Sequence, residues 1–278
     1  MTATYIGSIG STGLDDFSGI AKVEDKIYVL DDISYTPVIR VYENQIGFAF
    51  IEGILLEGGR GNDIIYSNES KNVYISDFEG NCIWVLTTLG KHRTRRWLDH
   101  LTKPDTLSLS NEGHLLVLRD WKFDRSAQLE IYSLNATLIR LLPLPDDVRV
   151  LHHVVQTSAG NFIICHAHKD SGLFIISELA NNGSLLKRFH PRNKSEELNQ
   201  PLYMSLDSDN NRLFVADYFN DRVILFDSTD LTWSQVVVSR KENSAISHPS
   251  RLLYDSEKKR LFIAQQNANV GLIVYEIN

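Results

Sequence analysis

The chain has 278 residues, of which 43% are hydrophobic and 23% charged, and its formal net charge is −7. This composition is typical of a globular protein with a sizeable core, and the negative charge argues against broad, non-specific binding to nucleic acid. Two cysteines form no disulfide framework and favour a reducing compartment, so we expect a cytoplasmic protein.

The amino terminus and the apolar runs argue against export and membrane insertion. The start, MTATYIGSIG, lacks the basic segment and apolar stretch of a signal peptide. No apolar run reaches the roughly 18 residues that a transmembrane helix needs. We therefore predict no association with a membrane.

A strand-like pattern recurs along the chain at intervals of about 47 residues. Six apolar stretches resemble one another: KIYVLD, NVYISD, LLVLRD, FIICHA, RLFVAD and RLFIAQ. The aligned positions at their ends are Asp31, Asp77, Asp120, His166, Asp217 and Gln265, spaced by 46, 43, 46, 51 and 48 residues. This near-constant interval predicts a repeat architecture.

Each repeat contains further predicted strands around the aligned stretch. In the first repeat SGIAKV precedes it and VIRVYE follows it, and in the sixth SRLLYD and GLIVYE hold these places. Polar turns such as NEG (111–113) and DSDNN (207–211) join the first strand to the second. A fourth strand such as LLKRFH follows in most repeats, which gives four strands per repeat.

The two ends of the chain complete one repeat between them. The sixth repeat has no fourth strand, whereas TYIGSIG at residues 4–10 is an extra strand before the first repeat. We predict that it pairs with Gly271–Glu276 and closes a ring, since an open solenoid would leave two sheet edges unpaired. The predicted fold is all-β, a six-bladed β-propeller of four-stranded antiparallel blades that forms a single domain over residues 1–278.

The fifth repeat, residues 200–227, resembles an NHL repeat. That pattern has a leading proline, an apolar strand, a turn, a second strand that ends in Asp, and then Asn and Arg. The matching positions are Pro201, Val215, Asp217, Asn220 and Arg222. Pro104 and Pro249 keep the leading proline in the third and sixth repeats, whereas the first and fourth repeats keep little beyond the strands.

This resemblance implies a propeller like those of TRIM-NHL proteins, which mostly bind protein or RNA. We therefore predict a non-catalytic protein–protein interaction module with no cofactor. RNA binding is one alternative, disfavoured because acidic residues outnumber basic ones in the predicted face loops. A metal-dependent propeller enzyme, a lyase or lactonase, is the other, since the family includes a peptide-amidating lyase with a histidine-bound metal.

The six aligned strand-end residues form the first candidate site, because all of them should lie near one mouth of the propeller. A carboxylate at this place can accept backbone N–H groups from the following turn, and this structural interpretation is favoured. The alternative is that some of them face the mouth and bind a ligand or a hard cation such as Ca²⁺. Arg125 and Arg222 are then candidate partners for the carboxylates.

Aromatic residues in the loops after these strands form the second candidate site. They are Tyr35, Phe78, Trp121, Phe123, Tyr218 and Phe219. Loop aromatics beside polar groups are typical of protein interfaces, so we predict that this face binds the partner. Packing between blades is the alternative interpretation.

The fourth repeat contains the sequence CHAHKD, which looks like a set of metal ligands. Cys165 faces the opposite side of the strand from His166 and His168, so at most two of the three can share a metal. A central metal would need histidines on several blades, and only one strand-end residue is His. We predict no metal site, keep His166 and His168 as the sole candidate ligands, and expect His166 to change charge near neutral pH.

The densest basic stretch is KHRTRRW, residues 91–97. It lies on a predicted outer edge strand, where Lys and Arg discourage pairing between sheet edges. Protection of the edge is therefore the favoured interpretation, and contact with nucleic acid is the alternative.

Overall fold

The computed structural model describes residues 1–10, 17–31, 37–56, 59–119, 128–243, 245–266 and 270–278. Within these ranges the chain forms six antiparallel sheets of four strands each. Short 3₁₀ turns occupy Lys194–Glu196, Ser208–Asn210 and Tyr218–Asn220. In the described part of the chain, no helix has the length and apolar character needed to cross a membrane.

Each sheet is one blade, and its strands are hydrogen-bonded in chain order from the innermost to the outermost, except in the last blade. Blade 1 contains β2 (Phe17–Val23), β3 (Lys26–Asp31), β4 (Val38–Glu43) and β5 (Phe50–Leu55). Blade 2 contains β6 (Gly61–Ser67), β7 (Asn72–Asp77), β8 (Cys82–Thr87) and β9 (Arg93–Leu98). Blade 3 contains β10 (Pro104–Leu109), β11 (Leu115–Arg119), β12 (Gln128–Tyr132) and β13 (Leu138–Leu142).

Blade 4 contains β14 (Val148–Gln156), β15 (Phe162–His168), β16 (Phe174–Leu179) and β17 (Leu185–Arg188). Blade 5 contains β18 (Pro201–Asp207), β19 (Arg212–Asp217), β20 (Arg222–Asp227) and β21 (Thr232–Ser239). Blade 6 contains β22 (Pro249–Asp255), β23 (Arg260–Gln265) and β24 (Leu272–Ile277), with β1 (Ala3–Ile9) as its outermost strand.

Blade 6 joins the two ends of the chain. Strand β1 pairs antiparallel with β24, so that Ser8 lies opposite Ile273. Beyond the strands, the backbone N–H of Thr2 donates to the carbonyl of Asn278 at 2.9 Å, and the N–H of Asn278 donates back at 3.0 Å. The predicted six-bladed fold and its closure by the N-terminal strand are confirmed.

The innermost strands surround the axis of the ring. In order around it, β2, β6, β10, β14, β18 and β22 each contact the next, and β22 contacts β2 again. The described buried apolar residues form six clusters, one at each interface between neighbouring blades. At the interface of blades 1 and 2, for example, Leu30 and Ile39 share a cluster with Ile75. The core is thus a ring of apolar layers, because the blades bury their faces against each other.

Every innermost strand has a shift of pairing register near its start. In blades 2, 5 and 6 the shift lies between Gly61 and Asp63, between Pro201 and Tyr203, and between Pro249 and Arg251. Such a bulge adds one residue to the strand and re-aims the side chains that follow it. Because these strands start at the end of the ring where the second strands finish, the re-aimed residues lie close to that end.

Candidate functional site

The described strand-end residues are buried. Asp31, Asp77, His166, Asp217 and Gln265 are each exposed by 1% or less. The end of the ring at which they lie is called the loop face. Their side chains do not line its surface, and their contacts show what they do there.

Asp217 connects three segments of blade 5. Its Oδ1 accepts the backbone N–H of Asn199 at 2.7 Å, and its Oδ2 accepts Asn220 Nδ2 at 2.9 Å and Arg222 Nε at 2.7 Å. Arg222 also donates to the carbonyls of Ser195 and Glu197. Burial raises the pKa of Asp217 despite these donors. This pair therefore fixes the loop that enters the blade to the turn between its second and third strands.

Asp77 does the same in blade 2 with a different set of donors. Its Oδ1 accepts the backbone N–H groups of Arg60 at 3.0 Å and Gly80 at 2.7 Å, and its Oδ2 accepts Trp84 Nε1 at 2.9 Å. A Cβ atom on Gly80 would lie 2.2 Å from Oδ2, so the backbone approaches this closely only because the residue is glycine.

Asp31 and Gln265 hold equivalent places in blades 1 and 6. Asp31 Oδ2 accepts Arg40 Nε at 2.5 Å. Gln265 accepts the N–H of Ser247 at 2.7 Å and donates to the carbonyl of Val270 at 2.9 Å. Asp77, Asp217 and Gln265 each accept at least one backbone N–H of a loop. Among the described contacts of these three, only Asp77 accepts one from the turn that follows its strand, as the structural interpretation expects, through Gly80.

His166 replaces the carboxylate in blade 4. Its Nδ1 lies 3.2 Å from the carbonyl of Ala167, and its Nε2 lies 2.8 Å from the hydroxyl of Ser177. Ser177 is 1% exposed and His166 0%, so this Ser–His pair does not reach solvent. Burial lowers the pKa of His166 to about 4. His166 is therefore neutral at physiological pH, and the expectation that its charge changes near neutral pH is wrong.

His168 lies nearer the surface and contacts a different carboxylate. Its Nε2 is 3.3 Å from Asp147, which is also 2.6 Å from the guanidinium of Arg188. Its Nδ1 accepts the N–H of Asp170 at 3.3 Å. In the ranges that the structure covers, no three His, Cys, Asp or Glu side chains are grouped so that they could hold a metal ion.

Both cysteines lie inside the sheets. Cys82 in β8 and Cys165 in β15 are free thiols with 0% exposure. Burial raises the pKa of each to about 12, so neither is a thiolate at neutral pH.

Five predicted site residues lie outside the described residues: Tyr35, Asp120, Trp121, Phe123 and Arg125. The other three predicted loop aromatics, Phe78, Tyr218 and Phe219, lie within the described residues. Phe78 is half-buried and has the Nζ of Lys103 above its ring at 4.2 Å. Tyr218 belongs to a larger group on blades 5 and 6.

Three rings form an aromatic cluster on the loop face, consisting of Tyr218, Phe219 and His248. The ring of Tyr218 lies 4.9 Å from Phe219 and 4.9 Å from His248, between centroids. The hydroxyl of Tyr218 donates to Gln266 at 3.0 Å, and the backbone N–H of His248 donates to Asp221 at 2.7 Å. Phe219 remains 54% exposed, so the cluster presents one apolar side chain to solvent on a fixed base.

A cavity of about 570 Å³ is lined by Asn220 and Asp221, the two residues that directly follow Phe219 of the aromatic cluster. Its walls come from the turn after β19 and from the segment at the end of β21, including Asp221, Arg222, Arg240, Lys241 and Glu242. Arg240 pairs with Asp221 at 3.2 Å, whereas Lys241 and Glu242 are exposed. The cavity therefore offers both signs of charge next to an exposed aromatic ring.

Sequence reasoning missed a group of polar residues on the axis, which we call the axial cluster: Asp63, His153, Tyr203 and Arg251. The hydroxyl of Tyr203 donates to Asp63 Oδ2 at 3.3 Å, and Arg251 Nε lies 3.7 Å from Asp63 Oδ1. The ring of His153 stacks on Tyr203 at 3.7 Å. Blades 2 and 5 are opposite each other in a ring of six, so the contact between Asp63 and Tyr203 crosses the axis.

Burial moves the pKa values of the axial cluster in opposite directions. The pKa of Asp63 rises to about 6 because burial outweighs the nearby Arg251 and the N–H groups of Leu107 and Ile64. The pKa of His153 falls to about 3 because of burial and the charge of Arg251. At neutral pH the cluster therefore contains a carboxylate beside a guanidinium, with a neutral imidazole next to them.

A sequence signal for the axial cluster exists, although it is weak. Asp63, Tyr203 and Arg251 each occupy the third position of an innermost strand. Polar groups at equivalent places of otherwise apolar strands indicate that these positions meet at the axis. An alignment of the six first strands therefore reveals these three residues.

The chain was compared with known proteins. No protein-family model matches it, and no curated protein sequence matches it either. Solved structures share its fold at low identity. A protein of unknown function from Bacteroides thetaiotaomicron has a TM-score of 0.71 and 17% identity, over 99% of this chain and 76% of the other.

Two further structures of similar fold belong to named proteins. The WD40 β-propeller domain of Doa1 has a TM-score of 0.66 and 12% identity, covering 99% of this chain and 97% of that domain. Virginiamycin B lyase from Staphylococcus aureus has a TM-score of 0.61 and 12% identity, covering 98% of this chain and 88% of the lyase. At such identities the likeness establishes the β-propeller fold and nothing finer.

Proposed function

We propose that this propeller is a non-catalytic, NHL-type protein-interaction module that binds a protein partner through the loop face of blades 5 and 6. The observation that carries the proposal is the aromatic cluster beside the cavity. An exposed aromatic ring on a rigid base, next to polar groups, is the usual composition of an energetically important contact.

The surroundings of the cluster support this proposal. Tyr218 and His248 are held by Gln266 and Asp221, so little side-chain entropy is lost when a partner packs against Phe219. The adjoining cavity has room for a partner side chain, and its lysine and glutamate allow either sign of charge to be paired. The axial cluster closes the middle of the ring nearby, so a partner rests on the face rather than entering the channel.

The first test is the substitution Phe219→Ala together with Lys241→Glu. Both side chains are exposed, so we expect the fold to tolerate the change. The matched control is Phe50→Ala, since Phe50 is 59% exposed on the outer strand of blade 1, far from the loop face.

The measurement is affinity capture with quantitative mass spectrometry. We expect specific partners of the wild-type protein to be lost by the loop-face variant and retained by Phe50→Ala. Partners that both variants retain equally would show that this face is not the binding surface. RNA recovered with the wild-type protein, and lost with the same variant, would assign the face to nucleic acid instead.

A further inference from the structure

The outermost strand of blade 2 combines a free sheet edge with free positive charge. Within the described part of the chain, β9 pairs only with β8. The opposite edge of its backbone presents N–H and C=O groups in the arrangement that a further strand would need. Arg93 and Arg95 of this strand are exposed, as is Lys91 just before it.

These three cations make no ion pair with any described carboxylate. The next arginine differs, since Arg96 lies 3.0 Å from Asp99 and stacks over Trp84. Arg93 and Arg95 are two residues apart, so they project from the same side of the sheet. The strand thus carries two adjacent, unneutralised guanidinium groups at the spacing of alternate strand residues.

Cations on other outer strands are already used within the molecule. Arg140 of β13 donates to Asn181 of the next blade, Lys187 of β17 pairs with Glu178 at 2.7 Å, and Arg188 pairs with Asp147 at 2.6 Å. Strands β1 and β21 contain no charged residue. Strand β9 is therefore the outer strand with cations that have neither an ion-pair partner nor a hydrogen-bond acceptor among the described residues.

Protection against aggregation does not account for this distribution. Strand β13 exposes Leu138, Ile139 and Leu141 by 45 to 52% and would benefit most from free cations on its edge. Its single arginine is instead bound to Asn181. The cations of β9 lie instead on a strand that has no large exposed apolar side chain.

We propose that β9 is a docking strand for an acidic segment of a partner protein. The segment adds to blade 2 as a fifth, extended strand, and its carboxylates at alternate positions lie opposite Arg93 and Arg95. Backbone hydrogen bonds along a sheet edge provide the affinity of such strand addition, and arginine–carboxylate pairs provide the selection for acidic side chains. This surface is separate from the loop face.

The probe is a fluorescent seven-residue peptide that alternates Glu and Thr, compared with peptides that alternate Gln or Lys with Thr. Fluorescence anisotropy at low ionic strength measures binding to the full chain. We expect binding of the Glu peptide alone, with an affinity that falls as salt is added. Charge reversal by Arg93→Glu with Arg95→Glu should weaken it at least tenfold.

The matched control is Lys169→Glu with Lys194→Glu, which changes the net charge equally at two exposed lysines, one after β15 and one in the segment between β17 and β18. It should leave the affinity within twofold of the wild-type value. Thermal unfolding of both variants shows whether each remains folded, so a lost fold is not mistaken for lost binding.

Backbone methylation of the peptide separates strand addition from simple charge attraction. Two Glu-Thr peptides carry N-methyl groups on alternate sets of amides, so that only one set faces β9. We expect one methylated peptide to lose binding and the other to keep it.

Equal binding of both methylated peptides, or of the wild-type and Arg93→Glu, Arg95→Glu proteins, would overturn the proposal. Absence of binding at low salt would overturn it as well. A short oligouridylate that binds more tightly than the Glu peptide, and is lost in the same variant, would assign the strand to nucleic acid instead.

Discussion

At the scale of single residues, Asp217 shows how one buried carboxylate organises a blade. Replacement by Ala would leave the N–H of Asn199 and the Nε–H of Arg222 without their acceptor and would remove the charge that pairs with that guanidinium. Removal of one partner from a buried ion pair costs roughly 3–5 kcal/mol. We therefore expect Asp217→Ala to lower the free energy of unfolding by about that amount, measured by urea denaturation at pH 7.

Two variants give this prediction its controls. Asp217→Asn keeps one acceptor oxygen and the same volume, so it should cost clearly less than the alanine variant. Asp209→Ala alters an exposed carboxylate in the same blade and should change stability by less than about 0.5 kcal/mol. A loss below about 1 kcal/mol for Asp217→Ala would show that loop and turn are held by other contacts.

The sequence predicted the part of the Asp217 site whose residues are close to Asp217 along the chain. Asn220 and Arg222 follow Asp217 within five residues, so their convergence is local and a repeat motif reveals it. The third partner, the N–H of Asn199, comes from the loop that enters the blade. Burial of the aspartate depends on that loop, and no local pattern in the sequence specifies how it packs.

At the scale of strands, the repeat predicted how many strands each blade has but not where each strand bulges. The three residues at the bulge are GND in blade 2, PLY in blade 5 and PSR in blade 6. No position of the bulge has the same residue in all three blades. A bulge breaks the two-residue alternation on which strand faces are assigned. The bulges therefore hide which strand face Asp63, Tyr203 and Arg251 occupy, and only their shared third position in the strand marks them in the sequence.

The closing strand β1 offers a direct test at the scale of elements. Thr4 and Glu276 are paired across β1 and β24, and both are exposed. Paired positions in antiparallel strands lie within disulfide range. We expect Thr4→Cys with Glu276→Cys to form a disulfide on mild oxidation and to stabilise the protein by roughly 2–4 kcal/mol.

The control for this engineered disulfide is Thr4→Cys with Ser158→Cys, which places the second thiol on an exposed turn of blade 4. It should remain reduced under the same conditions when assayed by thiol labelling. The native thiols do not interfere, because Cys82 and Cys165 are buried. Equal oxidation of both pairs would contradict a ring closed by β1.

At the scale of the whole molecule, the axial cluster connects blades 2, 4, 5 and 6 and makes stability depend on pH. The pKa of His153 is about 3 in the folded protein, below its ordinary value of 6.5. As the pH falls below about 6.5, His153 therefore becomes protonated in the unfolded chain but stays neutral in the folded chain. The stability contributed by neutral His153 is present above this pH and falls by up to about 1.4 kcal/mol per pH unit on acidification.

Substitution His153→Asn removes this titration and leaves an amide oxygen that can accept the N–H of Met204, as Nδ1 does at 3.3 Å. The variant starts less stable, since the stacking on Tyr203 is lost. Its stability should nevertheless fall less than that of the wild type between pH 7 and pH 4.5. Urea denaturation across this range provides the slope, and parallel curves would contradict a buried neutral His153.

Titration of Asp63 changes the stability in the opposite direction to titration of His153, so Asp63 provides a second test of the cluster. Its folded pKa of about 6 exceeds the ordinary 3.8, so the folded state gains its proton first as the pH falls from about 6 to about 3.8. The stability linked to protonated Asp63 is thus fully present below this window and lost above it. Because Asp63→Asn is uncharged at every pH, its stability should fall more steeply on acidification than that of the wild type. We therefore expect opposite changes of slope in the His153 and Asp63 variants, measured by urea denaturation between pH 7 and pH 4.5. A fall no steeper than that of the wild type in Asp63→Asn would contradict a raised pKa of Asp63.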